Sequence, residues 1–432
     1  MKHFITFLLI GTSLISFAQQ KFNTLQEVLV VAEKNNYSSL IATQQQHLAN
    51  LTTTSSYGNA FNPRIPSSIS ITDNAKLPVT FIPAEAFGGP SGSFKQLTMG
   101  QRYVSVLNFS PQFDILNFGS LAKIKSAKLN EELTYHNNLL TKKNLFDQVN
   151  ACYHNILSFQ SQIEILQQNK LKADTLYHIV AYKYNQGLVR KQDLNEAEIN
   201  QLNITDKIEQ AKFSLEQQYL TLKLLCETDE NILVIQQLSS QNFENQLQAS
   251  GNLVEENLKL QYDFARAEYK AALWQNLPTL SFVTSFNWQN NSNTNVWDKQ
   301  KPWINNNFWS LKLAWDFPTN VPKLTAVKSN LISYNIAAIN AKHAALQTKI
   351  QNEQLEKDYS KSLSLYQNNL LIYQLKKDNY QKSKNQFDAN ILALDKLLIA
   401  YNDLLLSELN VATSLASIAF NKSKIEINNQ VK

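Results

Sequence analysis

For a chain of 432 residues, this sequence is short of cysteine, glycine, proline and methionine. Cys152 and Cys226 are its only cysteines, each inside a helix-like pattern. No disulfide framework is expected, and both read as small buried apolar residues. The nine glycines and ten prolines fall mostly between 58–119 and 278–322. Elsewhere the chain carries almost no helix breaker, which argues against a string of ordinary compact domains. The net charge of +5 is too small for a nucleic-acid footprint. After the N-terminus no run of eighteen apolar residues occurs. That excludes a transmembrane helix but not a transmembrane β-barrel, whose signature is much weaker.

Signs of bond chemistry are also lacking. The six histidines stand at 3, 47, 136, 154, 178 and 343, with no HExxH pair and no cysteine at ligand spacing. There is no GxGxxG, Walker loop or GxSxG. GGPSG at 88–92 lacks the strand–glycine–helix setting of a phosphate cradle and reads as a flexible loop tip. No enzyme, cofactor or metal is expected.

What is present begins with MKHFITFLLIGTSLISFAQQ. Lys2, the apolar stretch Phe4 to Ile10 and the small residues of Ser16-Phe17-Ala18 make 1–18 a secretory signal peptide. The mature chain is expected to start at Gln19, and no cysteine follows to carry a lipid anchor.

The rest reads helix, strands, helix, twice over. A first helix is expected over 22–57, with Leu25, Val28, Leu29 and Ala32 on one face. Strands are expected over about 65–83 and 102–115. In the second, Tyr103, Leu107, Phe109, Phe113 and Ile115 alternate with polar residues including Asn108, Ser110, Gln112 and Asp114. Residues 120–184 contain no breaker, and Phe146, Val149, Tyr153, Ile156, Gln160 and Ile163 step by three and four. That is a coiled-coil seam with one polar position. A helix of about 65 residues is roughly 97 Å long, far beyond the needs of a globular domain. Gly187 ends it, and a return helix covers 190–228.

After a polar linker, 229–251, the order repeats: helix 252–276, strands about 277–289 and 308–317, long helix 323–385 and return helix 392–428. Leu280, Phe282, Phe286 and Trp288 share one side of their strand, opposite Ser281, Ser285 and Asn287. Residues 19–228 and 252–428 therefore read as an internal duplication. Asp114 in SPQFDI matches Asp316 in KLAWDF, and Tyr184 to Ala197 matches Phe387 to Ala400, which pairs Gly187 with Asn390. Four strands cannot close a barrel, and an open edge in lipid leaves backbone groups unpaired. Outer-membrane barrels start at eight strands, so two chains would supply eight and three would supply twelve.

These features resemble the TolC family of outer-membrane efflux and type I secretion channels. The likeness rests on FNTLQEVLVVAEKNN, on Leu277-Pro278 before a strand, on YNQGLVRKQDLNEAEI and on its degenerate partner FDANILALDKLLIAYNDL. It spans essentially the whole mature chain. It implies a mainly α fold with transmembrane β: duplicated helical hairpins forming an α-barrel tunnel, and four strands per chain in a shared trimeric twelve-stranded outer-membrane β-barrel. It implies a homotrimer in the outer membrane of a Gram-negative bacterium, in contact with outer-membrane lipid, with a long periplasmic extension. The implied partners are a periplasmic adaptor and, through it, an inner-membrane pump of RND or ABC type. The implied function is an exit duct for small molecules or polypeptides.

By the same resemblance the two turns are periplasmic tips. Tyr184, Gly187, Asp193 and Glu196 in the first are then candidates for gating or adaptor docking, as are Phe387, Asn390, Leu392, Asp395 and Lys396 in the second. The second tip departs from the Tyr, Gly, Arg and Asp common in the family. Phe387, Asn390, Leu392 and Lys396 hold those positions, and Asp395 is one place off register. Packing by Phe387 and Leu392 is the plain alternative to a polar lock. The competing reading of the chain is an exported coiled-coil scaffold or adhesin, which predicts a water-soluble protein.

Overall fold

The computed structural model describes residues 20–239, 243–244, 246–317, 319 and 321–431. The expected signal peptide lies outside the described residues. In chain order come β1 (Gln20–Phe22), α1 (Leu25–Asn35), α2 (Tyr37–Phe61), β2 (Ser67–Asp73), β3 (Val79–Pro83), a 3₁₀ turn (Ala84–Phe87), β4 (Phe94–Thr98), β5 (Tyr103–Phe109) and β6 (Gln112–Leu116). Then follow α3 (Phe118–Asn185), α4 (Lys191–Cys226), β7 (Ile232–Val234), α5 (Leu253–Trp274), β8 (Thr279–Ser292), β9 (Ile304–Ala314), α6 (Val321–Asp388) and α7 (Leu394–Gln430). The duplication is visible in the lengths. α3 and α6 each have 68 residues, and α4 and α7 have 36 and 37.

The chain divides into two compact units, one helical (1–45, 135–257 and 343–432) and one built around the sheet (46–134 and 258–342). In the helical unit the seam of α3 packs as its spacing dictates. Val149, Tyr153 and Ile156 are fully buried with Val28 and Ala32 of α1 and Leu222 of α4. Gln160, the polar step in the seam, donates from Nε2 to the Tyr219 hydroxyl at 3.0 Å and the Val234 carbonyl at 3.0 Å. A buried amide is tolerated there because both its donors are used. Cys152 and Cys226 are free and buried, and burial pushes their thiols up to about 12 and about 11.

Among the described residues α7 is the one helix long and apolar enough to cross a membrane by length and composition. Most of its large apolar residues are in the core, although Ile399 and Leu406 are exposed. Leu394, Leu397, Tyr401, Leu405, Ile418 and Ile425 are buried in successive clusters with α3, α4 and α6, as in the core helix of a bundle.

Several expected boundaries are corrected. The helix expected over 22–57 is two helices. Asn36 is buried, donates from Nδ2 to the Leu225 carbonyl at 3.0 Å and accepts the Ser38 N–H at 2.9 Å, so it ends α1 and caps α2 at once. The linker 229–251 is not irregular throughout, since β7 pairs in parallel with β1. Its later part is stitched to α6 and α7 by side chains: Tyr359 donates to the Glu244 carbonyl at 2.8 Å, and Asn429 to the Gln248 carbonyl at 2.9 Å.

In the sheet unit, β2 pairs with β5, β5 and β6 together pair along β8, and β9 covers the other side of β8, all antiparallel. The strand expected over 102–115 is broken because Pro111 has no N–H for the ladder. The strand expected over 65–83 stops at Asp73, and Val79–Pro83 instead forms a separate ribbon with β4, which has no clear alternation in sequence. The strand expected from 308 starts at Ile304, because Asn305, Asn306 and Asn307 pair with Trp288, Asn287 and Phe286 of β8.

Candidate functional site

Cross-strand partners lie on one face of a sheet, so the register assigns the faces. One face carries Ile69 and Ile71, Leu107 and Phe109, Phe113, then Phe282 and Phe286, then Trp309, Leu311 and Leu313. Along β9 it is open to the outside, with Trp309 74% and Leu313 70% exposed, whereas Ser105, Asn290 and Ser292 on the same face are buried. Phe109 meets Phe286 at 6.2 Å between ring centres, and Phe113 meets Phe282 at 5.3 Å. The opposite face is mostly polar, and along β6 and β8 it is the buried one, with Ser281 5%, Ser285 6% and Asp114 4% exposed, whereas Phe308 of β9 on the same face is exposed. Asp114 accepts from Ser281 Oγ at 2.7 Å and Asn117 Nδ2 at 2.9 Å, and Arg64 lies 3.6 Å away. This arrangement is inside out relative to a water-soluble sheet. Among the described residues, β2 and β9 have no strand on their outer edges.

The helical turns form the second site. α3 ends in a Schellman motif around Gly187, whose φ is 73°. The Gly187 N–H donates to the Tyr184 carbonyl at 2.9 Å, and the Leu188 N–H to the Lys183 carbonyl at 2.9 Å. α6 ends in the same way. Asn390 has φ 59°, its N–H donates to the Phe387 carbonyl at 2.9 Å, and the Ile391 N–H donates to the Gln386 carbonyl at 2.8 Å. Asparagine is the residue other than glycine that best tolerates this conformation.

The starts of the return helices differ. Asp193, at the third position of α4, accepts the Arg190 N–H at 2.8 Å. Its carboxylate is therefore engaged in capping. The third position of α7 is Lys396, whose charge opposes the helix dipole there. Asp395 and Lys396 are both exposed, 4.0 Å apart, and Glu196 is also exposed. Phe387 is buried with Val180, Leu194, Leu397 and Leu398, and Leu392 packs against that cluster. Tyr184 is exposed, with Lys191 Nζ 5.7 Å from its ring centre. The residue that joins the two turns is one that sequence reasoning missed. Lys183 donates to Asn390 Oδ1 at 2.9 Å, and its ammonium sits 4.7 Å from the Phe387 ring centre. Nothing local in the sequence marks it, because the contact spans 207 positions.

Residues 91–226 match the family model for outer membrane efflux proteins. The fold is that of VceC from Vibrio cholerae, with a TM-score of 0.77 at 11% identity over 94% of this chain and 97% of that one. The family model speaks for residues 91–226 of the chain. The CmeC outer membrane channel of Campylobacter jejuni has a TM-score of 0.70 at 15% identity, over 94% of this chain and 85% of that one. For the open state of the Neisseria gonorrhoeae MtrE channel the values are 0.62, 14%, 94% and 89%. At these identities the likeness is one of fold. No curated relative matches the chain by sequence. An exposed aromatic face opposite a polar one is the alternation that a lipid-facing barrel wall also shows.

Proposed function

We propose that the chain is one protomer of a homotrimeric outer-membrane exit duct for small molecules or polypeptides. The observation that carries this reading is the inverted sheet, apolar outward and polar inward, with β2 and β9 both open. In lipid the open edges must pair, and three copies joined β2 to β9 supply the twelve strand rows of a closed barrel. The helical unit supports assembly as well. Ile199, Leu202, Phe213, Leu220 and Leu224 of α4 are exposed, more apolar surface than a solvated helix needs. The helices then form a periplasmic tunnel, and no bond is made or broken. The two turns, with Tyr184, Gly187, Asp193 and Glu196 on one and Phe387, Asn390, Leu392, Asp395 and Lys396 on the other, form its entrance. There a periplasmic adaptor docks and connects to a pump of RND or ABC type.

Membrane extraction and particle imaging test this reading together. The mature protein should resist a carbonate wash, need detergent and give threefold particles with a short barrel capping a helical tube. Release by carbonate, or a monomer in mild detergent, refutes it and favours the scaffold reading.

A further inference from the structure

Between α3 and α5, within the sheet unit, lies a groove of about 590 Å³. Its cations are Lys125 of α3 and Arg266 and Lys270 of α5, against one acid, Asp263. Leu121, Leu129 and Trp274 supply apolar wall. All three cations are exposed, and among the described residues none has an ion-pair partner within 4.0 Å. Glu268, also on α5, is already bonded to the Ser126 hydroxyl.

Arg266, Lys270 and Trp274 are four apart and form one stripe. Along the helix axis Lys270 lies about 6 Å and Arg266 about 12 Å from Trp274. Trp274 sits at the end of α5 nearest the sheet, its ring edge-on to Phe118 at 6.4 Å. Trp315, which continues the apolar side of β9, donates from Nε1 to the Asn276 carbonyl at 3.0 Å and packs on Phe317 at 4.4 Å. Aromatic residues gathered at one end of an apolar sheet face mark a membrane interface. The cations therefore sit one to two helical turns on the water side of that interface, at the depth of a lipid headgroup.

The basic bias is wider than the groove. Residues 118–130 carry Lys123, Lys125 and Lys128 and no acid; 321–342 carry Lys323, Lys328 and Lys342 and no acid. Helix N-termini favour acids, yet neither α3 nor α6 has one in its first turn. Helix stability does not account for these charges, whereas an anionic surface does.

We infer that this groove binds the phosphate of an anionic glycerophospholipid in the periplasm-facing leaflet, with Arg266, Lys270 and Lys125 on the phosphate and Trp274 against the glycerol and upper acyl chain. The inference rests on the outer-membrane reading. A guanidinium and two ammonium groups suit phosphate oxygens, and basic pockets between helices are a known way to hold such headgroups.

The test uses the detergent-solubilised full-length protein and native mass spectrometry, with phosphatidylglycerol and phosphatidylcholine as probes. The wild type should retain phosphatidylglycerol, up to one per chain, in preference to phosphatidylcholine. The Arg266→Gln/Lys270→Gln variant should lose at least tenfold in affinity for phosphatidylglycerol at unchanged oligomeric state. Equal retention of the two lipids, or unchanged binding by the variant, overturns the inference. A Lys270→Cys variant should react with a water-soluble maleimide in lipid-free detergent and be protected by phosphatidylglycerol. If it is unreactive without lipid, a second copy of the chain covers the groove and the inference fails. The detergent requirement of the same preparation reports separately on the outer-membrane reading.

Discussion

The same substitution at two glycines should have unequal effects for different reasons. At Gly251 an added Cβ would fall well inside contact distance of the Asn428 carbonyl, which belongs to the backbone of α7. The collision lies within a knot of bonds: Asn352 Nδ2 to the Gly251 carbonyl at 3.0 Å, Asn428 Nδ2 to Asn352 Oδ1 at 3.0 Å, and the Ser250 N–H to Asn429 Oδ1 at 2.7 Å. Overpacking of this kind costs about 1–3 kcal/mol. Two lost hydrogen bonds add about 1 kcal/mol each, for a total of about 3–5 kcal/mol. At Gly187 a Cβ would meet nothing within 4 Å, so Gly187→Ala carries only the left-handed backbone penalty, about 1 kcal/mol. Hydrogen exchange reads both. Gly251→Ala should speed exchange by more than a hundredfold across 246–251 and the end of α7. Gly187→Ala should speed it by about fivefold, in the turn alone. Near-native exchange in Gly251→Ala, or a larger effect from Gly187→Ala, would refute the packing argument.

Burial draws the His154 imidazole down from 6.5 to about 4. The folded protein keeps it neutral where the unfolded chain takes up a proton, so its contribution is complete above about pH 6.5 and is lost as pH falls toward 4, by about 3 kcal/mol. His154→Gln should flatten the urea midpoint between pH 7 and pH 4.5, and an unchanged slope counts against burial as the cause. Lys396→Asp supplies α7 with the third-position acid that Asp193 gives α4, and should stabilise the second turn by about 0.5–1 kcal/mol; faster exchange over 386–397 would contradict it. Lys183→Met removes both the bond to Asn390 and the cation over Phe387. It should loosen the second turn by about 1–2 kcal/mol while leaving the Asp193 cap intact, with exchange at the two turns as the readout.

The features legible in the sequence are those set by neighbours along the chain. The uninterrupted run to Tyr184, the seam through Val149 and Ile156, and the glycine that closes α3 all depend on spacing of at most a few turns. The pairing of Gly187 with Asn390 was legible because the duplication compares one turn with another, and both residues take the left-handed conformation. What escaped depends on distant partners. Asn36 breaks a helix-like stretch because the Leu225 carbonyl, 189 positions away, competes for its side chain. Asn305 to Asn307 look like loop until β8 supplies their ladder. At the candidate site, the role of Phe387 as core was offered by its chemistry, whereas the Lys183 link between the turns had no local sign.

The sheet also constrains how such a chain reaches its final state. β2 has seven residues and β9 eleven, and about half the backbone groups of each point away from the existing ladder. In a bilayer each unpaired group costs several kcal/mol, so the two edges of one inserted chain would cost tens of kcal/mol. That is several times the net stability of an ordinary domain. In water the same chain would expose Trp309, Leu311 and Leu313 together with Phe286 of β8. Neither solvent suits the single sheet. The helical unit leaves α4 apolar surface for a neighbour, but its four apolar clusters close within one chain. On the channel reading, the helical unit can therefore fold first, whereas edge pairing between chains and membrane insertion have to occur as one coupled step.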